Sequence, residues 1–244
     1  MRIEQDDVLV LVPALNEEKS VGKVLTSLRE LGYSALLISD GSTDRTAEIG
    51  RQCGVAVLEL PINLGVGGAL RAGFKFARSH GYRAVVQVDA DGQHPAVEIT
   101  ALIHAANETG ADMVIGSRFL GGSAPMKVKG IRRLAMAVLA RSAAAAADRP
   151  ITDSTSGFRM IREPLLGQFA SQFANNYLGD TYEAVVSAGR SGYRIIEISA
   201  SLQDREHGVS TASTTSAIRF TLKGLGVALL GFHRRLGRSN QPGK

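Results

Sequence analysis

Ala84-Val85-Val86-Gln87-Val88-Asp89-Ala90-Asp91-Gly92-Gln93-His94-Pro95 runs from an apolar stretch straight into an acidic turn. The first five residues are too few for a helix and rich in valine, so they predict a buried strand. In an extended chain, residues i and i+2 point to the same side. Asp89 and Asp91 therefore present two carboxylates to one hard cation, with the Gln93 carbonyl one step further along. Oxygen ligands that leave room for phosphates suit Mg2+ or Mn2+. Pro95 then opens a helix over Ala96–Thr109.

The same unit repeats on either side. Val8–Val12, Ala35–Ile38 and Val55–Leu58 read as strands upstream, and Met113–Ile115 and Arg194–Ile198 downstream. Helices are expected over Glu18–Leu31, Asp44–Cys53, Val66–Ser79, Lys129–Ala147, Leu178–Ser191 and Ser216–Leu236. Strands alternating with such helices predict an α/β fold, a mostly parallel sheet with helices on both faces. The pattern fades near Phe119. No linker or repeat divides the chain, which reads as one domain.

Polar or glycine-rich turns follow the first five strands, and in open parallel sheets ligands bind beyond the carboxyl ends. Pro13-Ala14-Leu15 would wall a nucleobase, and Asp40 or Glu17 would accept a hydrogen bond from its ring N–H. Asp44 reads as a helix N-cap. Gly65-Val66-Gly67-Gly68 places amides near phosphate or ribose. It follows the third strand and has Leu70 where the dinucleotide fingerprint wants glycine, which argues against a nicotinamide enzyme. In the second half, Asp153-Ser154-Thr155-Ser156-Gly157-Phe158-Arg159 is a polar loop. Asp180 and Glu183 share a helix face, either as dipole partners or as a general base. Arg205, in a loop with Ser210, would clamp phosphate.

The net charge of +5 is uneven: residues 121–150 carry +5, residues 201–244 carry +5, and the rest carries −5. Two basic segments on an acidic body imply an anionic partner. With 5% aromatics and no Trp, that partner is not single-stranded nucleic acid. Ile131, Leu134, Ala135, Val138 and Leu139 make one apolar face, and Ile218, Leu222, Leu225 and Leu229 another. Beside Lys127, Lys129, Arg132, Arg133, Arg219 and Lys223 they predict a membrane-surface contact. The same faces leave room for a homo-oligomer. Cys53 is the single cysteine, the start is acidic, and the apolar run Gly224–Phe232 is too short to span a bilayer. The expectation is a cytoplasmic protein, peripheral on the inner face of the cell membrane.

Together these motifs resemble glycosyltransferase family 2 with its A-type fold, closest to the polyprenyl- and dolichyl-phosphate glycosyltransferases. The strings that carry the resemblance are Val12-Pro13-Ala14-Leu15-Asn16-Glu17-Glu18, Asp40-Gly41-Ser42-Thr43-Asp44, Asn63-Leu64-Gly65, Asp89 to Pro95, Gly116-Ser117-Arg118 and Ser156-Gly157-Phe158-Arg159. Glu183, Gly192-Tyr193 and Arg205…Gly208…Ser210 extend it. The resemblance implies that Pro13, Leu15, Glu17 and Asp40 hold the nucleoside. It implies that Asp89, Asp91 and Gln93 hold the metal, with Ala90 beside ribose or donor phosphate. Arg118, one or both of Arg132 and Arg133, and Arg205 with Ser210 would engage donor or acceptor phosphates. Ser39 stands where many members carry an acid, and Thr181 separates Asp180 from the position near Glu183 where relatives often do.

The implied activity is metal-dependent, inverting transfer of a sugar from a GDP- or UDP-sugar to a polyprenyl phosphate. An acceptor that is already an anion needs no strong base. A soluble hydroxyl acceptor would need one, with Asp180 or Glu183 as candidate. Outside the enzyme class stands a non-catalytic nucleotide-sugar binder, against which the intact Asp89 and Asp91 weigh. The expected organisation is a catalytic domain over 1–212, with a nucleotide-sugar half to about 120 and an acceptor half over 121–212, then a basic amphipathic helix and tail over 213–244.

Overall fold

The computed structural model describes residues 2–120, 131–173, 180–201 and 236. β1 (Val8–Ala14) leads through α1 (Val21–Glu30) to β2 (Ser34–Asp40), and α2 (Thr46–Gln52) leads to β3 (Ala56–Leu60). α3 (Gly65–Ser79) leads to β4 (Ala84–Gln87), and a 3-10 turn at Ala96–Glu98 enters α4 (Ile99–Thr109) before β5 (Met113–Ser117). Beyond lie α5 (Ile131–Ala147), β6 (Arg159–Arg162), α6 (Leu165–Gln172), α7 (Asp180–Arg190) and β7 (Ile195–Ser199).

The strands form one sheet in the order β3-β2-β1-β4-β6-β5-β7. β1, β2, β3 and β4 pair in parallel, as do β5 and β7, while β6 runs antiparallel between β4 and β5. Val8 to Val12 are buried without alternation, because both faces of the sheet are covered. Val21, Val24, Leu25 and Leu28 of α1, at helical spacing, join Ile99, Leu102 and Ile103 of α4 on one face. On the other face α3, α5, α6 and α7 contribute Leu70, Phe74, Leu139, Phe169 and Val185. There Phe74, Phe169 and Phe173 stack and edge against one another at 5.0–6.0 Å between ring centroids.

The structure corrects the sequence expectation in the second half. Arg159–Arg162 is a strand and not the end of a polar loop, so the sheet is mixed. Two-turn α6 was not expected either, although Leu165, Leu166, Phe169 and Ala170 give it a buried face. α1 begins at Val21, three residues late, because residues 16–18 are tied to the neighbouring turn. The helix expected over 216–236 lies outside the described residues apart from buried Leu236, whose amide donates to Ser191 Oγ at 2.9 Å. No helix among the described residues is long and apolar enough to cross a membrane.

Candidate active site

The carboxyl ends of all the parallel strands share one edge, and antiparallel β6 brings its amino end there too. From β1 the chain builds to one side through β2 and β3, then crosses to β4 on the other. Such a reversal of strand order opens a crevice for ligand.

On the β1–β3 side, neighbouring turns are joined by single hydrogen bonds to hydroxyls, side-chain amides and carboxylates. The Asn16 amide donates to Ser42 Oγ at 3.1 Å, and the Thr43 amide donates to Asn16 Oδ1 at 2.8 Å. The Glu17 amide donates to Thr46 Oγ1 at 2.9 Å, and the Glu17 carboxylate accepts the Ser20 hydroxyl at 2.8 Å. Pro13 and Leu15 are half-buried at the same turn. Asp44 accepts from the Glu18 amide and from the Thr46 amide and hydroxyl, so it fastens the start of α2. Burial pushes its carboxyl up, but those hydrogen bonds outweigh it and hold it below the usual 3.8.

Asp40 ends β2 and is 4% exposed. Its Oδ1 accepts the Leu64 amide at 2.7 Å. The approach of the two turns needs Gly41: its φ is +70°, and a β-carbon there would stand 2.6 Å from the Asn63 nitrogen. Burial raises the Asp40 carboxyl above 3.8, more than the Leu64 and Gly65 amides lower it.

The acidic turn after β4 lies on the same edge of the sheet, with β1 between β2 and β4. Asp89 is half-buried, while Ala90 and Asp91 are 3% and 7% exposed. Asp91 Oδ1 accepts the Gln93 amide at 3.0 Å, which curls the turn. His94 stacks on Phe158 at 5.1 Å, and its Nδ1 accepts the Asp89 amide at 3.3 Å. Gln87 Nε2 donates to Asp89 Oδ1 at 3.4 Å. Gly157 faces the Asp89 carboxylate so closely that a β-carbon would sit 2.7 Å from Oδ2.

Charges dominate the β5–β7 side. Arg118 forks onto Asp153, with Nε to Oδ2 at 2.6 Å and Nη2 to Oδ1 at 2.8 Å. The Asp153 side chain has no exposed surface, and Arg118 retains 29%. That hydrogen bond raises the Arg118 pKa, and the charge of nearby Asp89 adds to it. Glu197 of β7 holds the same loop, accepting the Thr152 and Asp153 amides at 2.8 and 2.6 Å. The expectation that Arg118 serves phosphate thus meets an arginine already engaged, with Nε and Nη2 in the fork.

Of the residues singled out in the sequence, the structure gathers Pro13, Leu15, Glu17, Asp40, Asp89, Ala90, Asp91, Gln93 and Arg118 along one edge. Glu183 is half-buried in the first turn of α7, next to Tyr182, whose hydroxyl pairs with that of Ser142. Arg205 and Ser210 lie outside the described residues, as do the side chains of Arg132, Arg133 and Asp180. Gly157, His94, Glu197 and Arg159 were given no role by the sequence. The signal for Gly157 was a polar, glycine-bearing turn like the other five.

The residues of the acidic turn fit a hard divalent cation. Asp89 and Asp91 are oxygen donors just past the strand end, and Gly157 approaches Asp89 more closely than any residue with a β-carbon could. Among the described residues no three His, Cys, Asp or Glu side chains converge. Two carboxylates leave the other coordination positions for water and phosphate, the habit of Mg2+.

The pattern that defines glycosyl transferase family 2 matches residues 9–169. The polyprenol monophosphomannose synthase of Mycolicibacterium smegmatis is 28% identical, over 95% of this chain and 89% of its own. The undecaprenyl-phosphate mannosyltransferase of Micrococcus luteus is 28% identical, over 94% of this chain and 99% of its own. Among solved structures, glucosyl-3-phosphoglycerate synthase from Mycobacterium tuberculosis, in complex with Mn2+, UDP and phosphoglyceric acid, superposes with a TM-score of 0.69. It is 20% identical and covers 92% of this chain and 77% of that one, a likeness that establishes the A-type glycosyltransferase fold.

Proposed function

Because the chain belongs to glycosyltransferase family 2, we propose that it moves a sugar, with inversion, from a UDP- or GDP-sugar to a polyprenyl phosphate. The observation that carries the acceptor is the pair of relatives named for such lipids, which align along nearly the whole chain and well past the end of the family pattern. The charge at the β5–β7 side supports it. Asp153 is held by the Arg118 fork and is not available as a base, and a phosphate anion needs none.

In this reading Pro13, Leu15 and Glu17 enclose the nucleoside, and Asp40 accepts from its base. Asp89 and Asp91, with Gln93, hold Mg2+ or Mn2+. When bound, that cation supplies charge neutralisation at the departing diphosphate. Arg118, Arg132, Arg133 and Arg205, with Ser210, orient the phosphates. The acceptor oxygen attacks the anomeric carbon from the face opposite the leaving group, and the nucleoside diphosphate departs. Residues 1–212 make the catalytic domain and 213–244 a basic tail; with segment 121–150 that tail draws the protein to an anionic membrane on its cytoplasmic side.

A second reading, transfer to a soluble hydroxyl, draws on Glu183 in the first turn of α7, where a base would stand. The deciding experiment incubates protein, Mn2+ and labelled nucleotide sugars with polyprenyl phosphate, with polyprenol, and with neither. Label in the phosphate lipid alone is expected. Label in neither lipid, across the common nucleotide sugars, overturns the lipid acceptor.

A further inference from the structure

Arg159 is the largest fully buried side chain among the described residues, 1% exposed at the first position of β6. There it pairs across the sheet with Gln87 of β4 and Ile115 of β5. An ion taken out of water costs several kcal/mol, and an apolar residue of like volume often serves stability better. Burial accordingly pushes the guanidinium pKa down to about 10, against the pull of Asp153 and Asp89. Yet among the described residues no carboxylate stands within ion-pair distance of it. Its hydrogen bonds go to backbone carbonyls. Nε and Nη2 donate to Ser156 O, and Nη1 donates to Thr181 O at 3.1 Å.

Those two carbonyls belong to two separate segments, the loop before β6 and the first turn of α7. Ser156 precedes Gly157, the residue packed against the Asp89 carboxylate. Thr181 lies in the first turn of α7, between Asp180 and Glu183. A planar guanidinium directs donors two ways at once, which a point-like ammonium does not. We infer that Arg159 is a positioning residue that locks the first turn of α7 to the Ser156–Gly157 turn packed on the Asp89 carboxylate, so that α7 and the acidic turn keep one fixed spacing. The inference rests on the proposed reading of the acidic turn as the metal site and of α7 as part of the acceptor side.

Arg159→Lys keeps the charge and breaks the bridge. Mn2+-dependent affinity for UDP or GDP, by calorimetry, is expected to stay within about threefold, while acceptor KM rises about tenfold. Amide exchange over residues 182–186 should accelerate by a similar factor, with β1 and β2 unchanged. Unchanged KM and unchanged α7 exchange would overturn the inference. So would equal losses of nucleotide affinity and acceptor KM with faster exchange throughout the sheet, the mark of plain packing. If the variant does not fold, the wild type decides: amides of 182–186 and of β6 must open at one common rate, and independent, faster opening of α7 refutes the lock. A wild type that ignores polyprenyl phosphate strikes only the proposed acceptor, because the nucleotide and exchange measurements do not involve it.

Discussion

Around Asp40 the turns are joined by single hydrogen bonds of Asn16, Ser42 and Thr46 and by the Asp40 and Asp44 carboxylates, each accepting a backbone amide, whereas around Asp153 the same task falls to the Arg118–Asp153 ion pair, half-buried Glu197 and fully buried Arg159. A neutral hydrogen bond contributes about 1 kcal/mol net. Removing one member of a buried ion pair costs about 3 kcal/mol or more, since it strands the other charge. The β1–β3 side of the crevice is thus a seam of many single hydrogen bonds, and the β5–β7 side hangs on an ion pair whose loss strands a charge. The acidic turn between them stands against both.

The largest effect is expected at that turn. Asp91→Ala should lower transfer by about a thousandfold or more and abolish metal-dependent nucleotide binding, with little change in Tm. Equal nucleotide affinity of the wild type in Mn2+ and in EDTA would sink the metal assignment. The contrast between the two sides is tested next by a pair of variants in urea denaturation. Asp153→Ala should destabilise by about 3 kcal/mol, and Asn16→Ala by about 1 kcal/mol. Similar losses would erase the distinction.

Gly157→Ala comes third. Its β-carbon must displace the Asp89 carboxylate, so Mn2+-dependent nucleotide affinity should fall about tenfold while metal-free affinity holds. Calorimetry with and without EDTA separates the two. The smallest effect concerns acid. The Asp44 carboxyl is held below 3.8 in the fold, so its contribution is present above 3.8, the unfolded value, and lost as pH falls through the folded value. Asp44→Asn should therefore flatten the fall of urea stability below pH 3.8; an unchanged acid limb would show that the Asp44 links are not sensed. Asp40 goes the other way, taking its proton above 3.8, so nucleotide affinity should begin to fall before the fold does.

The strands β1 to β5 and their turns were legible because a strand covered on both faces writes itself as an apolar run, and the turn after it as a break in polarity. Asp89 and Asp91 were singled out by strand geometry, although β4 ends at Gln87 and both stand in the turn beyond it. β6 was not legible: Arg159-Met160-Ile161-Arg162 is four residues with a charge at each end, and its partners in β4 and β5 are distant in sequence. Missing β6 meant missing that Gly157 faces Asp89 and that Arg159 is buried. Arg118 was seen as a cation, but its engagement with Asp153 depends on where the 152–157 loop lands, which no local pattern encodes.

The reversed strand has a consequence for how such a molecule can change. The chain leaves β5 at Ser117 and re-enters the sheet at Arg159, and Ile115 and Arg159 are paired neighbours. Everything between, α5 included, is an excursion whose two ends meet at the crevice. Doubling the length of a flexible excursion adds only about 0.6 kcal/mol of closure entropy. The sheet then behaves as a chassis with one socket, into which segments of different length can be fitted without shifting the register of any strand. On the proposed reading, selection can rewrite which acceptor the protein glycosylates there while the donor side is inherited intact.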